Sequence, residues 1–441
     1  MENIEQRTVN NEHRMAAHLG CVRRRMFDVQ CSLLLLAVGR WCSAAQTESA
    51  GQRRPAFGLC FLCFLLFISS CAAAERFQVL QPSSFEHHIS RFNSMEDENV
   101  TNFVSNAQSW SWLQQNIPLF ECPDSEVEEM YYFRWWSFRK HLKQTPKGFV
   151  FTEFLTPVGH AGEFNTISCA ASFHIAESRW LADQQFADDY IQFWLRGNGG
   201  KPQPHFHKFS SWFADAVYER FLVSADRRFT VKLLDDLVDD YRAWEVERQL
   251  TNGLFWQYDV RDGMEESISG SRKQKNIRPT INSYMFANAK AISEIAKLAG
   301  KTKVAAEFEN KAAQLRELTL RTLWNADAPF FEVRREDGTF AGVQEEIGFI
   351  PWMFELPDSG REFDAAWQQL TDQQGFRAPF GITTAERRHP QFRSHGVGTC
   401  EWDGAVWPFA TCQTLYGLAN FLRSSESEVG RVAPRAPNAV D

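Results

Sequence analysis

The stretch GLFWQYDVRDGMEESISGSRKQKNIRPTINSYMFAN, residues 253–288, decides how the rest of the chain is read. It sets four carboxylates, Asp259, Asp262, Glu265 and Glu266, beside Trp256 and Tyr258. A basic, glycine-containing loop follows, and then a helix opens at Pro279. Aromatic rings stack on the apolar faces of pyranoses, and carboxylates bind hydroxyls and carry protons. A solvated acidic loop ahead of a helix would have the same composition, so the surrounding chain has to decide between the two.

On both sides of this stretch the apolar residues recur every three or four positions, the period of an amphipathic helix. That pattern predicts helices over 126–144, 164–178, 180–196, 210–224, 228–250, 280–300, 302–324, 347–355, 360–371 and 404–423. Gly300 marks a C-terminal cap. Strand signals occur only between helices. One is 148–156, and another is a hairpin over 329–342 turning at Asp337-Gly338. Short and long connections alternate, as they do in antiparallel helical hairpins arranged in a ring. The long connections then gather on one rim, where function tends to sit. No fixed period repeats, which disfavours a regular solenoid.

The chain has 441 residues, a net charge of −8 and 14% aromatic residues, with 15 Trp and 38 Phe. The negative balance argues against a nucleic-acid partner. The aromatic content fits either sugar binding or a ring-packed helical core. Arg53-Arg54 precede an apolar run from Ala56 to Ala74 that ends in small residues, the layout of a secretory signal. Ala72-x-Ala74 suits ordinary cleavage, whereas Ile-Ser-Ser-Cys71 resembles a lipobox and would leave a lipid anchor at Cys71; an uncleaved membrane anchor is the third reading. The expected location is secreted, periplasmic or at the cell envelope. Residues 1–74 are read as an extension plus signal, 75–125 as an irregular lead-in, 126–423 as the functional domain and 424–441 as a disordered tail. Six of the ten cysteines fall in 1–74. Cys122, Cys169, Cys400 and Cys412 have neither a disulfide framework nor metal spacing. No metal or cofactor is expected.

The ordered motifs DGMEESISG (262–270), RPTINSYMFANAKAI (278–292), EEIGFIPWMF (345–354), TAERRHPQF (384–392) and CEWDGAVWPFATCQTL (400–415) make residues 126–423 resemble a known group. This is the six-hairpin, (α/α)6-barrel glycoside hydrolases, in particular the mannosylglycerate-hydrolase-like domains related to glycoside hydrolase family 63. The resemblance implies an all-α toroid with small β inserts in its rim loops and an inverting acid/base cleavage of a glycosidic bond. It places the general acid in a Gly–apolar–Asp element, which here reads Gly263-Met264-Glu265. Glu265 is therefore the expected acid, with Asp262 as the alternative.

The resemblance puts the general base beyond the helix that follows WDGAVWP. About ten helical segments are present where twelve would close the barrel, so the chain is expected to lack the last helices. Within it, Glu401 and the Glu345/Glu346 pair are the substitutes for the base. Glu153, His160, Trp256, Arg387, Trp402, Asp403 and Trp407 are candidate sugar contacts. Arg387, Arg388 and His389 would suit an acidic sugar or a carboxylate. Two rival readings stay open: a degenerate, non-catalytic sugar binder, and a plain helical scaffold. The scaffold would show no gathering of carboxylates and Trp on one rim.

Overall fold

The structure, a computed structural model, describes residues 79–358, 362–393 and 400–429. The apolar run Ala56–Ala74 and Cys71 lie outside the described residues. Among those described, no helix is long and apolar enough to cross a membrane.

Helix burial separates two layers. The helix α9, Pro279–Leu298, has proline at its first turn and is buried almost all round, leaving only Lys290 and Lys297 exposed. A helix apolar on every side belongs inside. The next helix, α10 (Thr302–Leu323), buries a single stripe of Ala305, Phe308, Ala312, Leu315, Thr319 and Leu323, so it lies outside against α9. The other inner elements are α4 (Ser168–Ser178), α6 (Phe213–Ser224), α11 (Ile350–Met353, entered through a 3₁₀ turn at Glu346–Phe349) and α13 (Pro408–Val429). Each packs on the next in the order α4, α6, α9, α11, α13. Phe409 at the start of α13 returns to Phe173 of α4, with ring centroids 4.7 Å apart. The outer partners are α3 (Ser125–His141), α5 (Gln185–Arg196), α8 (Leu234–Arg248), α10 and α12 (Gln368–Thr371, after a 3₁₀ turn at Glu362–Trp367). A short helix, α7 (Arg227–Lys232), precedes α8.

Five outer-to-inner pairs are thus present among the described residues, and the expected all-α helical-hairpin toroid is the observed fold. Every connection from an outer helix to its inner partner is long: 142–167, 197–212, 249–278, 324–345 and 372–407. The return connections are shorter, as at 179–184 and 299–301. The long ones share one rim.

The strands are small and lie within these rim loops. β1 (Leu142–Thr145) pairs antiparallel with β2 (Gly148–Phe151), β3 (Trp324–Asn325) with β4 (Phe330–Phe331), and β5 (Arg377–Ala378) with β6 (Gly381–Ile382). The expected hairpin over 329–342 is divided. Its first residues pair back to β3, while the Asp337-Gly338 turn closes only a single bridge between Arg334 and Phe340. Arg334 also bridges Ile277, so the residues after β4 pair with the third rim loop as well.

The termini of the domain differ from expectation. The lead-in holds two helices of about two turns, α1 (Glu86–Asn93) and α2 (Ser109–Asn116), packed on α3 through Ile89, Phe92 and Leu113. At the other end α13 continues to Val429, so 424–429 is helical and not irregular.

One buried amide fastens the third rim loop to the innermost helix. Asn282 of α9 accepts from the Phe255 N–H at 2.9 Å and donates to the carbonyls of Phe255 and Arg278, each at 2.8 Å. Leaving a buried backbone group unpaired costs about 1–3 kcal/mol. Asn282→Leu is therefore expected to lower the unfolding free energy by about 2–5 kcal/mol in urea titrations, because it strands both polar groups of Phe255.

Candidate active site

The third rim loop is organised by Asp262, which is buried. Its carboxylate accepts from Ser210 Oγ at 2.6 Å and from Arg278 Nε at 2.6 Å, and also from the hydroxyl of Thr280. The Asp262 and Arg278 side chains are both fully shielded from solvent. Arg278 also reaches Ser269 Oγ at 3.4 Å, and Ser269 in turn donates to Glu345 through its N–H and hydroxyl. This chain of contacts corrects the reading of Asp262 as an alternative acid. A carboxylate clamped by a guanidinium and two hydroxyls is committed to holding the loop and has no free oxygen to turn toward a substrate. Glu345 and Glu346, considered as substitutes for the base, are buried too. Burial raises both. Glu346 lies against Thr414 Oγ1 at 3.4 Å, and both carboxylates belong to the wall rather than to an open cleft.

Glu265 stands differently. It follows Gly263 (φ +73°) and precedes Glu266, which is held at φ +63°. Left-handed backbone at a residue other than glycine costs about 1–3 kcal/mol and persists where the surroundings impose it. Here they do. The Met264 N–H bonds the Asp259 carbonyl at 3.1 Å, the Trp402 N–H bonds the Glu265 carbonyl at 3.3 Å, and Arg393 lies 3.6 Å from the Glu266 carboxylate. Gly270 is required nearby, since a Cβ there would fall 2.3 Å from Asp259 Oδ2.

Within reach of the Glu265 charge is Glu153, delivered by the first rim loop just after β2. Cys169 at the start of α4 donates its thiol to Glu153 Oε2 at 3.5 Å. Burial raises the Glu153 carboxyl above its ordinary value. The Cys169 thiol opposes that rise, and the charge of Glu265 adds to it. Cys400, from the fifth rim loop, hydrogen-bonds Glu265, and its thiol is pushed up to about 11 by burial and then by the Glu265 charge. Burial pushes Cys169 up as well. Three rim loops and one inner helix thus converge on a coupled pair of carboxyls.

The other expected contacts are distributed unevenly. Trp256 is buried, with Arg248 and Lys275 over its ring at 4.6 and 5.2 Å, and so offers no open face to a sugar. Trp402 is only 3% exposed and lies beneath Trp407, parallel within 6° at 5.0 Å. Trp407 is the partly open member of that stack and donates to the Glu401 carbonyl at 2.7 Å. Glu401 and Asp403 are buried, and Asp403 is paired with Arg393. His160 is exposed, its ring against Phe154 and its carbonyl taking Lys208 Nζ at 2.6 Å. Arg387 spends its guanidinium on the carbonyls of Gln373 and Arg377, each at 3.0 Å, within its own loop. It is a loop brace.

Sequence reasoning passed over Cys169 and Cys400, finding in the four cysteines beyond residue 74 neither a disulfide framework nor metal spacing. All four are free, and Cys412 is exposed. The available signal was position: Cys400 opens the CEWDG motif, and Cys169 lies one residue into the helix that ends the Glu153 loop.

Two outcomes follow. Arg278→Met leaves the buried Asp262 charge unpaired and is expected to cost about 3–5 kcal/mol in unfolding free energy. Glu265→Gln should change stability in a pH-dependent way. The folded value of Glu153 lies above its ordinary 4.5, so below 4.5 neither state has to ionise it. As pH rises, the unfolded chain releases the proton first and the native state loses stability until the raised value is passed. Removing the Glu265 charge lessens that loss. The variant should match the parent at pH 4 and exceed it by about 0.5–2 kcal/mol at pH 7, the gain typical of relieving an active-site conflict.

The mannosylglycerate hydrolase MGH1-like glycoside hydrolase domain matches residues 163–436. A solved structure named a sialidase is 51% identical over 78% of the chain, with a TM-score of 0.76; the chain spans only 32% of that protein's length. The GH63 mannosylglycerate hydrolase of Thermus thermophilus, solved in complex with glucose, is 14% identical with a TM-score of 0.51, covering 63% of this chain and 85% of that one. The GH78 family rhamnosidase of Bacillus sp. GL1 is 11% identical with a TM-score of 0.50, covering 72% and 30%. The two more distant structures agree with the helical-hairpin fold. The chain belongs to the mannosylglycerate hydrolase MGH1-like glycoside hydrolase domain family.

Proposed function

We propose that this glycosidase domain cleaves the glycosidic bond of a neutral sugar at the Glu153–Glu265 pair, by single displacement with inversion. The observation that carries the reading is the pair itself: two carboxyls from separate rim loops, close enough for the charge of one to raise the other. Burial, with the charge of Glu265 adding to it, holds the Glu153 carboxyl above its ordinary value, and a carboxyl that keeps its proton is what acid catalysis draws on. Glu265, next to a strained turn at Glu266, takes the proton held at Glu153 and delivers it to the leaving oxygen. Glu153, once it has passed that proton on, accepts a hydrogen bond from a sugar hydroxyl.

Inversion also needs a carboxylate on the far side of the sugar to activate water, about 6.5–9.5 Å from the acid. Glu401 is the residue assigned that role. It sits on the fifth rim loop next to Cys400, and with Asp403, the larger influence, it helps hold the Arg393 proton in place. The Trp402–Trp407 stack beside it supplies an aromatic edge for the sugar. A site lined by carboxylates repels an anionic glycone, so the preferred substrate is uncharged and not a sialoside. The sialidase name belongs to a longer protein, of which this chain covers 32%. The apolar run ending near Cys71 supports export, with cleavage or lipid attachment there.

The test is steady-state kinetics on a panel of neutral aryl glycosides. Glu265→Gln and Glu401→Gln should each lower kcat by about 10²–10⁴-fold, while Glu153→Gln should act mainly by raising KM. If Glu401→Gln retains parental kcat, Glu401 is not the base. If the parent binds sugars but hydrolyses none, the domain is a binder.

A further inference from the structure

A second recess opens on the same rim, between the first and second rim loops. It is a cavity of about 340 Å³ whose lining includes Lys147, Gly162, Glu163, Trp194, Gln203 and His205. Neither Glu265 nor Glu401 lines it. We propose that it is a second sugar subsite, holding a remote unit of an oligosaccharide whose scissile bond lies at Glu265. The proposal rests on the glycosidase reading above.

The chemistry of the walls selects the ligand class. Lys147 Nζ and Glu163 Oε2 are paired at 2.6 Å, and Gln203 Nε2 approaches the same carboxylate at 3.5 Å. The lysine and the carboxylate neutralise each other, so no net charge remains to attract a phosphate or a free carboxylate. What the cavity offers is an ion pair, a largely buried amide and an exposed imidazole, with the Trp194 ring sealed beneath them. An amide and a carboxylate beside a flat imidazole ring match the alternating hydroxyl and C–H faces of a pyranose.

The backbone at the lip supports the same conclusion. Phe164 and Asn165 are consecutive residues in the left-handed region, at φ +58° and +68°. Each costs about 1–3 kcal/mol, and such strain concentrates at ligand clamps. The turn is held by Gly162 N–H to the Thr166 carbonyl at 2.8 Å and by the Thr166 hydroxyl to the Glu163 carbonyl at 2.8 Å. Asn165 then ties it to the catalytic end of the same loop. Its amide donates to the carbonyls of Phe154 (2.7 Å) and Thr156 (3.1 Å) and accepts from the Val158 N–H (3.0 Å). Phe154 follows Glu153 directly. On the opposite side, the His205 carbonyl accepts from Ser168 Oγ at 3.1 Å, one residue before Cys169. The recess is therefore linked by short hydrogen-bonded routes to both members of the Cys169–Glu153 contact.

Gly162 gives a direct test, because it can be filled without removing a polar group. Its φ of −85° suits any residue, and a Cβ there would face His205 Cδ2 at 3.5 Å. For the full chain and Gly162→Leu, kcat/KM is measured on an aryl monoglycoside and on oligosaccharides of the same glycone. The parent should gain about tenfold or more with the longer substrates, through KM. Gly162→Leu should lose that gain, and Asn198→Ala, which trims the far wall, should reduce it. Thermal melts check that each variant is folded; if Gly162→Leu does not fold, Asn198→Ala decides.

Hydrolysis by the parent without a chain-length gain, or an undiminished gain in the variants, overturns the subsite and leaves the glycosidase reading intact. If the parent hydrolyses nothing, that reading fails. Calorimetric titration with methyl hexopyranosides then decides the subsite alone: binding abolished by Gly162→Leu upholds it, and absent or unchanged binding overturns it.

Discussion

The buried ion pair between Asp262 and Arg278 is the contact on which the site depends. Both side chains are sealed from water, and taking two charges out of solvent is costly unless each is fully met by partners. Ser210, Thr280 and Ser269 meet most of that need. The partners come from the second rim loop, from the innermost helix α9 and from the third rim loop itself. One electrostatic requirement thus locks two rim loops onto the core. Glu265, three residues after Asp262, takes its place because of that lock. The strained turn at Gly263 and Glu266 is sustained by the same contacts.

The toroid arises from simpler physics. The innermost helix is apolar on all sides, and its outer partner α10 is apolar on one stripe, so the pair has a fixed inside and outside. Repeating that pairing sends every outer-to-inner connection to the same rim. Those connections are long enough to carry Glu153, Glu265 and Cys400 toward one point. Small residues in α4, Cys169, Ala170, Ala171 and Ser172 among them, let the first inner helix approach closely enough for its thiol to touch Glu153.

Much of this was legible in the chain. The three- and four-residue period located the longer helices, and the alternation of connection lengths located the rim. The short helices α1 and α2, of eight residues each, were missed because two turns give too little period to separate from a polar loop. Only the resemblance ranked Glu265 ahead of Asp262, since both are carboxylates in one acidic loop. What distinguishes them is a guanidinium 16 positions on and a hydroxyl 52 positions back, and these meet only in three dimensions. Trp256 failed as a sugar platform for the same kind of reason: the cations that cover its ring come from α8 and the basic loop. Burial likewise removed Trp402 from the surface and left Trp407 as the open ring.

The proposed reaction, inverting hydrolysis of a glycosidic bond with Glu265 as acid and Glu401 as base, has a stereochemical readout. The most direct measurement is proton NMR of the anomeric signals during hydrolysis of an aryl glycoside by the full chain, read before mutarotation. Inversion requires that the first sugar released carry the opposite anomeric configuration to the substrate. Release of the same configuration, or no hydrolysis of any glycoside in the panel, would contradict it.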